Sequence, residues 1–141
     1  MFHTDIKISQ IKSRIYESLY SQSGSNKSDT QLDEIIDELS NQLEIWRLAV
    51  PEIYRPSLEF AQGTQIEPKF LNIRALIVQL DYYYCLTVIN HASIRFNACR
   101  MNANGLQFSV KSQMAMAAES SRYSLRYLQS SLPIVNGGIF W

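Results

Sequence analysis

Apolar residues recur along the first segment at steps of three and four. Ile8, Ile11, Ile15 and Leu19 make the stripe, Tyr16 and Tyr20 widen it, and Lys7, Lys12 and Arg14 lie off it. That spacing predicts an amphipathic helix. Residues 21–31 are rich in Ser, Gly and Asn and cannot bury enough surface to offset the ordering of their backbone, so a flexible loop is expected there. Near its end, Ser28 with Gln31, or Thr30 with Asp33, offers an N-cap and an answering side chain three residues on. A second stripe follows: Leu32, Ile35, Ile36, Leu39, Leu43, Trp46 and Val50, with Asp33, Glu34, Asp37, Glu38 and Glu44 crowding the other side. The early acids suit the positive end of the helix dipole. Pro51 disfavours helical geometry at Val50 and should end this helix, and Pro56, Gly63 and Pro68 keep residues 51–68 an irregular connection.

From Lys69 to about Phe96 there is no Gly or Pro, and apolar residues cover nearly every side. A helix apolar all round is expected to be buried all round, and some 28 residues span roughly 42 Å. A polar stretch with Asn97, Asn102, Asn104 and Gly105 comes next. Ser109 is then placed to cap a fourth helix with the inner face Val110, Met114, Ala117, Ala118, Ser121, Leu125 and Leu128, which Pro133, Gly137 and Gly138 should end. No alternating period argues for a sheet, and no internal repeat is found. The expected class is all-α, an array of about four helices. Ile139, Phe140 and Trp141 read as the start of a further buried element, so the array is expected to be an incomplete part of something larger.

Composition narrows the function. With 141 residues, 46% hydrophobic and 18% charged, the chain is of ordinary globular type. Thirteen basic and 13 acidic residues cancel, which leaves no overall pull toward nucleic acid or an anionic membrane. Cys85 and Cys99, the 2 cysteines, are read as free thiols in a reducing compartment. Met1 to Asp5 shows neither the basic nor the apolar part of a secretory signal, and Arg74 and Asp81 break the most apolar stretch too early for a membrane span.

Chemistry-bearing residues are sparse. His3 and His91 are the 2 histidines, and neither has the setting of a base beside a nucleophile. Cys85 and His91 fall roughly 240° apart around one helix, so they share neither a metal nor a proton. No Gly-rich loop follows a strand, which argues against a phosphate cradle. Arg95, Arg100, Lys111, Arg122 and Arg126 lack the density of a recognition helix and are read as dispersed surface charges. Tyr82, Tyr83 and Tyr84 point in three directions and read as core packing rather than a stacking platform. No catalytic, metal, cofactor-binding or DNA-contacting residue is expected, and the chain is not read as an enzyme.

Three stretches in sequence carry a resemblance: Ile11 to Tyr20 (IKSRIYESLY), Leu43 to Pro56 (LEIWRLAVPEIYRP) and Tyr82 to Ile94 (YYYCLTVINHASI). Together they resemble the regulatory, or middle-homology, domain of fungal transcription factors that bind DNA through a six-cysteine binuclear zinc cluster. The likeness takes in most of residues 1–141 as a partial regulatory domain, with His91 where the family pattern has Arg. It implies a nuclear protein that controls transcription through protein partners, in many members as a homodimer and in some with a small-molecule inducer. DNA would be reached only through a zinc-cluster module, which this chain does not contain. The contrasting expectation is a stand-alone helical adaptor or oligomerisation protein with no transcriptional role, its exposed apolar face covered by a partner.

Overall fold

The computed structural model describes residues 2–21, 27–57, 73–99 and 107–138. Among them are four α-helices and no strand: α1 (Phe2–Ile15), α2 (Asp29–Ala49), α3 (Ile73–Cys99) and α4 (Gln107–Gly138). The all-α expectation holds. Of the two expected irregular segments, residues 22–26 of 21–31 and 58–68 of 51–68 lie outside the described residues.

The two amphipathic stripes pack as their spacing demands, except that Tyr16, expected to widen the first, is 65% exposed. Ile8, Ile11, Ile15 and Leu19 are all buried, and so are Leu32, Ile36, Leu39, Leu43, Trp46 and Val50; Ile35 is half-buried. Of the two capping pairs open in the sequence, Ser28 with Gln31 forms. Ser28 Oγ accepts from the Gln31 N–H at 3.4 Å, and Gln31 Oε1 accepts from the Ser28 N–H at 3.0 Å. Two donors that the helix start would strand are thereby satisfied. The last turn of the first segment, Tyr16–Tyr20, widens to π geometry, closed by the Ser21 N–H on the Tyr16 carbonyl at 2.9 Å. Such a turn holds one extra residue, so both Leu19 and Tyr20 reach the core.

The third helix departs from the expectation of burial on every side. It packs against α1, α2 and α4, yet Ile77 and Tyr84 stay about half exposed, at 50% and 55%, and His91 is exposed as well. These residues are seven apart and share one strip of the helix, and three neighbours leave that strip open. Its other sides carry Val78, Tyr82, Tyr83, Cys85, Ile89 and Ala92 into a single core with the stripes of α1 and α2.

The fourth helix differs more. It begins at Gln107 and runs to Gly138, so Ser109 sits within it rather than at its cap, and the helix continues past Pro133. A proline there removes one donor, the N–H that would reach the Gln129 carbonyl, and the helix tolerates the loss. Its inner face is also rotated from the expected one. Ala117 and Ser120 are buried, whereas Met114 and Leu125 are exposed. Small residues let α4 approach α3 closely, and the hydroxyls satisfy one another: Ser120 Oγ lies 2.8 Å from Thr87 Oγ1 and donates to the Ala117 carbonyl at 3.0 Å. Among the described residues no buried side-chain nitrogen or oxygen lacks a partner.

Candidate functional site

The three stretches that carry the resemblance meet on α3. From the first, the Tyr20 hydroxyl donates to the Val88 carbonyl at 2.9 Å, and the Lys12 ammonium pairs with Asp81. In return Arg95 donates to the Leu19 carbonyl at 3.1 Å, with its guanidinium 5.0 Å from the centre of the Tyr20 ring. Arg95 thus closes the C-terminal carbonyls of the first segment, where a cation is favoured.

The second stretch builds a corner after α2. Arg47 grips Glu44 with two nitrogens, Nε to Oε2 at 2.8 Å and Nη2 to Oε1 at 2.6 Å, and sends Nη1 to the Pro56 carbonyl at 3.1 Å. This fork holds the Glu44 carboxyl below the usual carboxylate range and raises the Arg47 guanidinium. Arg55 turns back onto the helix end, donating to the Val50 carbonyl at 3.3 Å and the Leu48 carbonyl at 3.1 Å. Two residues of α3 then clamp the corner from outside. Gln79 Nε2 donates to the Tyr54 carbonyl and the Tyr83 hydroxyl to the Ser57 carbonyl, both at 2.9 Å.

The third stretch supplies the rings. Tyr82 stacks on Trp46 with centroids 6.4 Å apart and planes 13° from parallel. Tyr83, wholly buried, meets Tyr82 edge-on at 5.2 Å and Tyr123 of α4 at 4.9 Å. Burial disfavours the phenolate, so Tyr82 is pushed up to about 12 and Tyr83 further still. Tyr84 faces outward. The three do not take three separate directions: Tyr84 points to solvent, while Tyr82 and Tyr83 enter the core in contact with each other.

Two grooves flank this junction. One of about 540 Å³ lies between α1 and α2, with Ile11, Ile45, Trp46 and Ala49 in its apolar part and Lys7 and Arg14 among its polar residues. The other, of about 310 Å³, lies between α1 and α3 beside Tyr20, Tyr84 and His91. Cys85 is fully buried and its thiol is pushed up to about 12 by burial, so it stays neutral and weakly nucleophilic, while His91 is exposed on the same helix. The arrangement can dock apolar side chains within a polar rim. It brings no base to a nucleophile.

Among the described residues no cluster of three or more His, Cys, Asp or Glu is placed to hold a metal. Likewise no described helix is long and apolar enough to cross a membrane. Arg122 is held by Glu119 at 2.7 Å, and Arg95 is bound as above. The side chains of His3, Cys99, Arg100 and Lys111 lie outside the described residues. The corner at Arg47 and Arg55 and the Lys12–Asp81 pair were missed by sequence reasoning. The one signal for the pair was the single acid of α3, Asp81, in an apolar stretch, which demands a partner without naming it.

The chain is 33% identical over 94 residues to an ABC-transporter-regulating transcription factor of Aspergillus oryzae, an alignment that covers 67% of this chain and 10% of the relative. A protein of the same name from Aspergillus fumigatus is 32% identical over 94 residues, with the same shares. The chain is related to fungal transcription factors. It matches about a tenth of the length of these relatives, 10% in each case. No protein-family profile matches the chain, and no solved structure does.

Proposed function

We propose that this chain is part of the helical regulatory region of a fungal zinc-cluster transcription factor. It acts in the nucleus and controls transcription through protein contacts rather than catalysis. The observation that carries this reading is the 33% identity, over 94 residues, to a transcription factor named for regulating ABC transporters. The junction on α3 supports it, because the three stretches that resemble the regulatory domain form one packed unit instead of three separate helices. With 2 cysteines in 141 residues, a six-cysteine cluster lies outside this sequence, and DNA contact belongs to that other part. ABC-transporter genes are the first targets to examine.

A tethering experiment tests the proposal. The chain is inserted between a heterologous DNA-binding domain and an activation domain, and reporter output is compared with that of a Leu43→Asp version in which a fully buried position is charged. A regulatory region changes output several-fold in the intact form, and the change disappears in the variant at equal protein level. Equal output from the intact insert, the variant and an insert-free control would remove the reading.

A further inference from the structure

The end of the first segment has two helical registers open to it. Ile8, Ile11, Ile15 and Leu19 are spaced three and four apart, the period of an unbroken α-helix. The structure instead widens Tyr16–Tyr20 to a π turn, with the Ser21 N–H on the Tyr16 carbonyl at 2.9 Å, where an α turn would place it on that of Glu17. By the end of the turn the chain has fallen one residue, roughly 100°, behind the α register. A return to α would carry Leu19 to about the place that Tyr20 now holds against α3, and would turn Tyr20 away. An apolar side chain meets the core in either case.

The local pattern favours the α register, since the stripe runs at α spacing and π turns are rare. Contacts from other parts of the chain favour the π register. Lys27, just ahead of α2, donates to the Ser18 carbonyl at 3.1 Å. Arg95, near the end of α3, donates to the Leu19 carbonyl at 3.1 Å and lies 5.0 Å from the centre of the Tyr20 ring. Two cations from two elements thus converge on consecutive carbonyls at the negative end of the segment, where positive charge is favoured. Ser21 Oγ donates to the Glu17 carbonyl at 2.6 Å and stands in for the N–H that an α turn would supply. The Tyr20 hydroxyl on the Val88 carbonyl completes the hold. We infer that the Tyr16–Tyr20 turn is a charge-held latch. Lys27 and Arg95 keep it in the π register, and loss of their charge returns it to the α register and withdraws Tyr20 from α3.

The latch governs more than its own turn. Tyr20 walls the groove of about 310 Å³ between α1 and α3, beside Tyr84 and His91, so the register sets the width of that groove. Arg95 is exposed and Lys27 half-buried, which leaves both catches within reach of solvent. Neither catch is a catalytic residue; each acts by positioning Tyr20. The latch does not depend on the transcriptional role, and either can fail without the other.

Nuclear magnetic resonance of the 141-residue chain reads the register directly, through the scalar coupling that crosses the hydrogen bond of the Ser21 amide. In the parent the Ser21 nitrogen should couple to the Tyr16 carbonyl carbon. In the Lys27→Gln, Arg95→Gln double variant the coupling should move to Glu17, and the Tyr20 ring should lose its proximity to Val88. Arg14→Gln, which removes a cation of the same segment that bonds only the Glu38 side chain at 2.9 Å, should keep the parental coupling. A parent coupled to Glu17 overturns the inference. So does a double variant still coupled to Tyr16, or one coupled to neither carbonyl, which would show fraying in place of a second register. If the double variant loses its helicity by circular dichroism, the single variants are read by hydrogen exchange. Each should then speed exchange of the Ser21 amide about tenfold, the effect of one lost charge-assisted bond, and exchange at the parental rate overturns the latch equally.

Discussion

Tyr83 ties the corner after α2 to α3 and α4, and replacing it separates hydroxyl from ring. Its side chain is fully buried on α3, donates to the Ser57 carbonyl at 2.9 Å and touches Tyr82 and Tyr123 at ring distances of 5.2 Å and 4.9 Å. Tyr83→Phe removes the hydroxyl, with its bond to Ser57 and its hydrogen bond with Tyr123, and keeps the ring. A net bond is worth ~1 kcal/mol, and half-buried Ser57 can recover part of the loss from water, so the cost is about 1–1.5 kcal/mol. Tyr83→Ala removes the ring as well and opens a cavity between Tyr82 and Tyr123. By analogy with other buried aromatics that costs about 3–5 kcal/mol, the loss of both ring contacts included. For a chain of 141 residues one kcal/mol lowers the melting temperature by about 3–5 °C. Thermal melts followed at 222 nm should therefore place the Phe variant about 3–7 °C below the parent, with the Ala variant at least ~10 °C below or unfolded. An Ala variant that melts within ~2 °C of the Phe variant would show that Tyr83 does not hold α3 to α4, and the packing account would be wrong.

Removing the Ser28 side chain with Ser28→Ala should cost ~1 kcal/mol through loss of the cap on α2, read as a melting temperature lower by about 3–5 °C; no change would mean that water replaces the cap without loss. A double-mutant cycle on Lys12→Ala and Asp81→Ala should give a coupling of about 0.5–1 kcal/mol that shrinks in 1 M salt, since the pair is partly exposed, and zero coupling at low salt would count against it. Stability should also fall at alkaline pH. Tyr82 and Cys85 stay protonated in the fold up to about 12, whereas the unfolded chain begins to release their protons near 10 and 9. The stabilisation is complete below pH 9, and each group then costs ~1.4 kcal/mol per pH unit between its unfolded and folded values. A denaturation midpoint that stays flat from pH 8 to 11 would contradict the burial of these groups.

Local rules made parts of the fold legible. The main stripes of α1 and α2 packed as read because each gathers most of its apolar residues on one side, although Tyr16 and Ile45 stay exposed, and Ser28 with Gln31 satisfied donors at the helix start. The fourth helix was misread because it has two candidate faces. Its larger apolar residues, Met114 and Leu125, suggested the core, but α3 offers Thr87 and the buried Tyr83, and a close approach to these favours Ala117 and Ser120. Period alone cannot choose between two faces that differ by roughly 110°. The third helix was expected to be covered on every side because hydropathy counts residues and not neighbours. Three packing helices leave a strip through Ile77, Tyr84 and His91. The junction itself was half legible. Its three stretches stand out in the sequence, while its bonds run between residues up to 76 apart and depend on the tertiary arrangement.

The most direct test of the regulatory reading is transcript measurement in the organism that carries the gene, with Tyr83→Ala introduced at the native locus. The account predicts that ABC-transporter transcripts change several-fold while the variant protein, still present, occupies the same promoters by chromatin immunoprecipitation. Transcripts that stay at parental level, with the protein present and its helical region shown to be destabilised, would contradict a regulatory role for this chain.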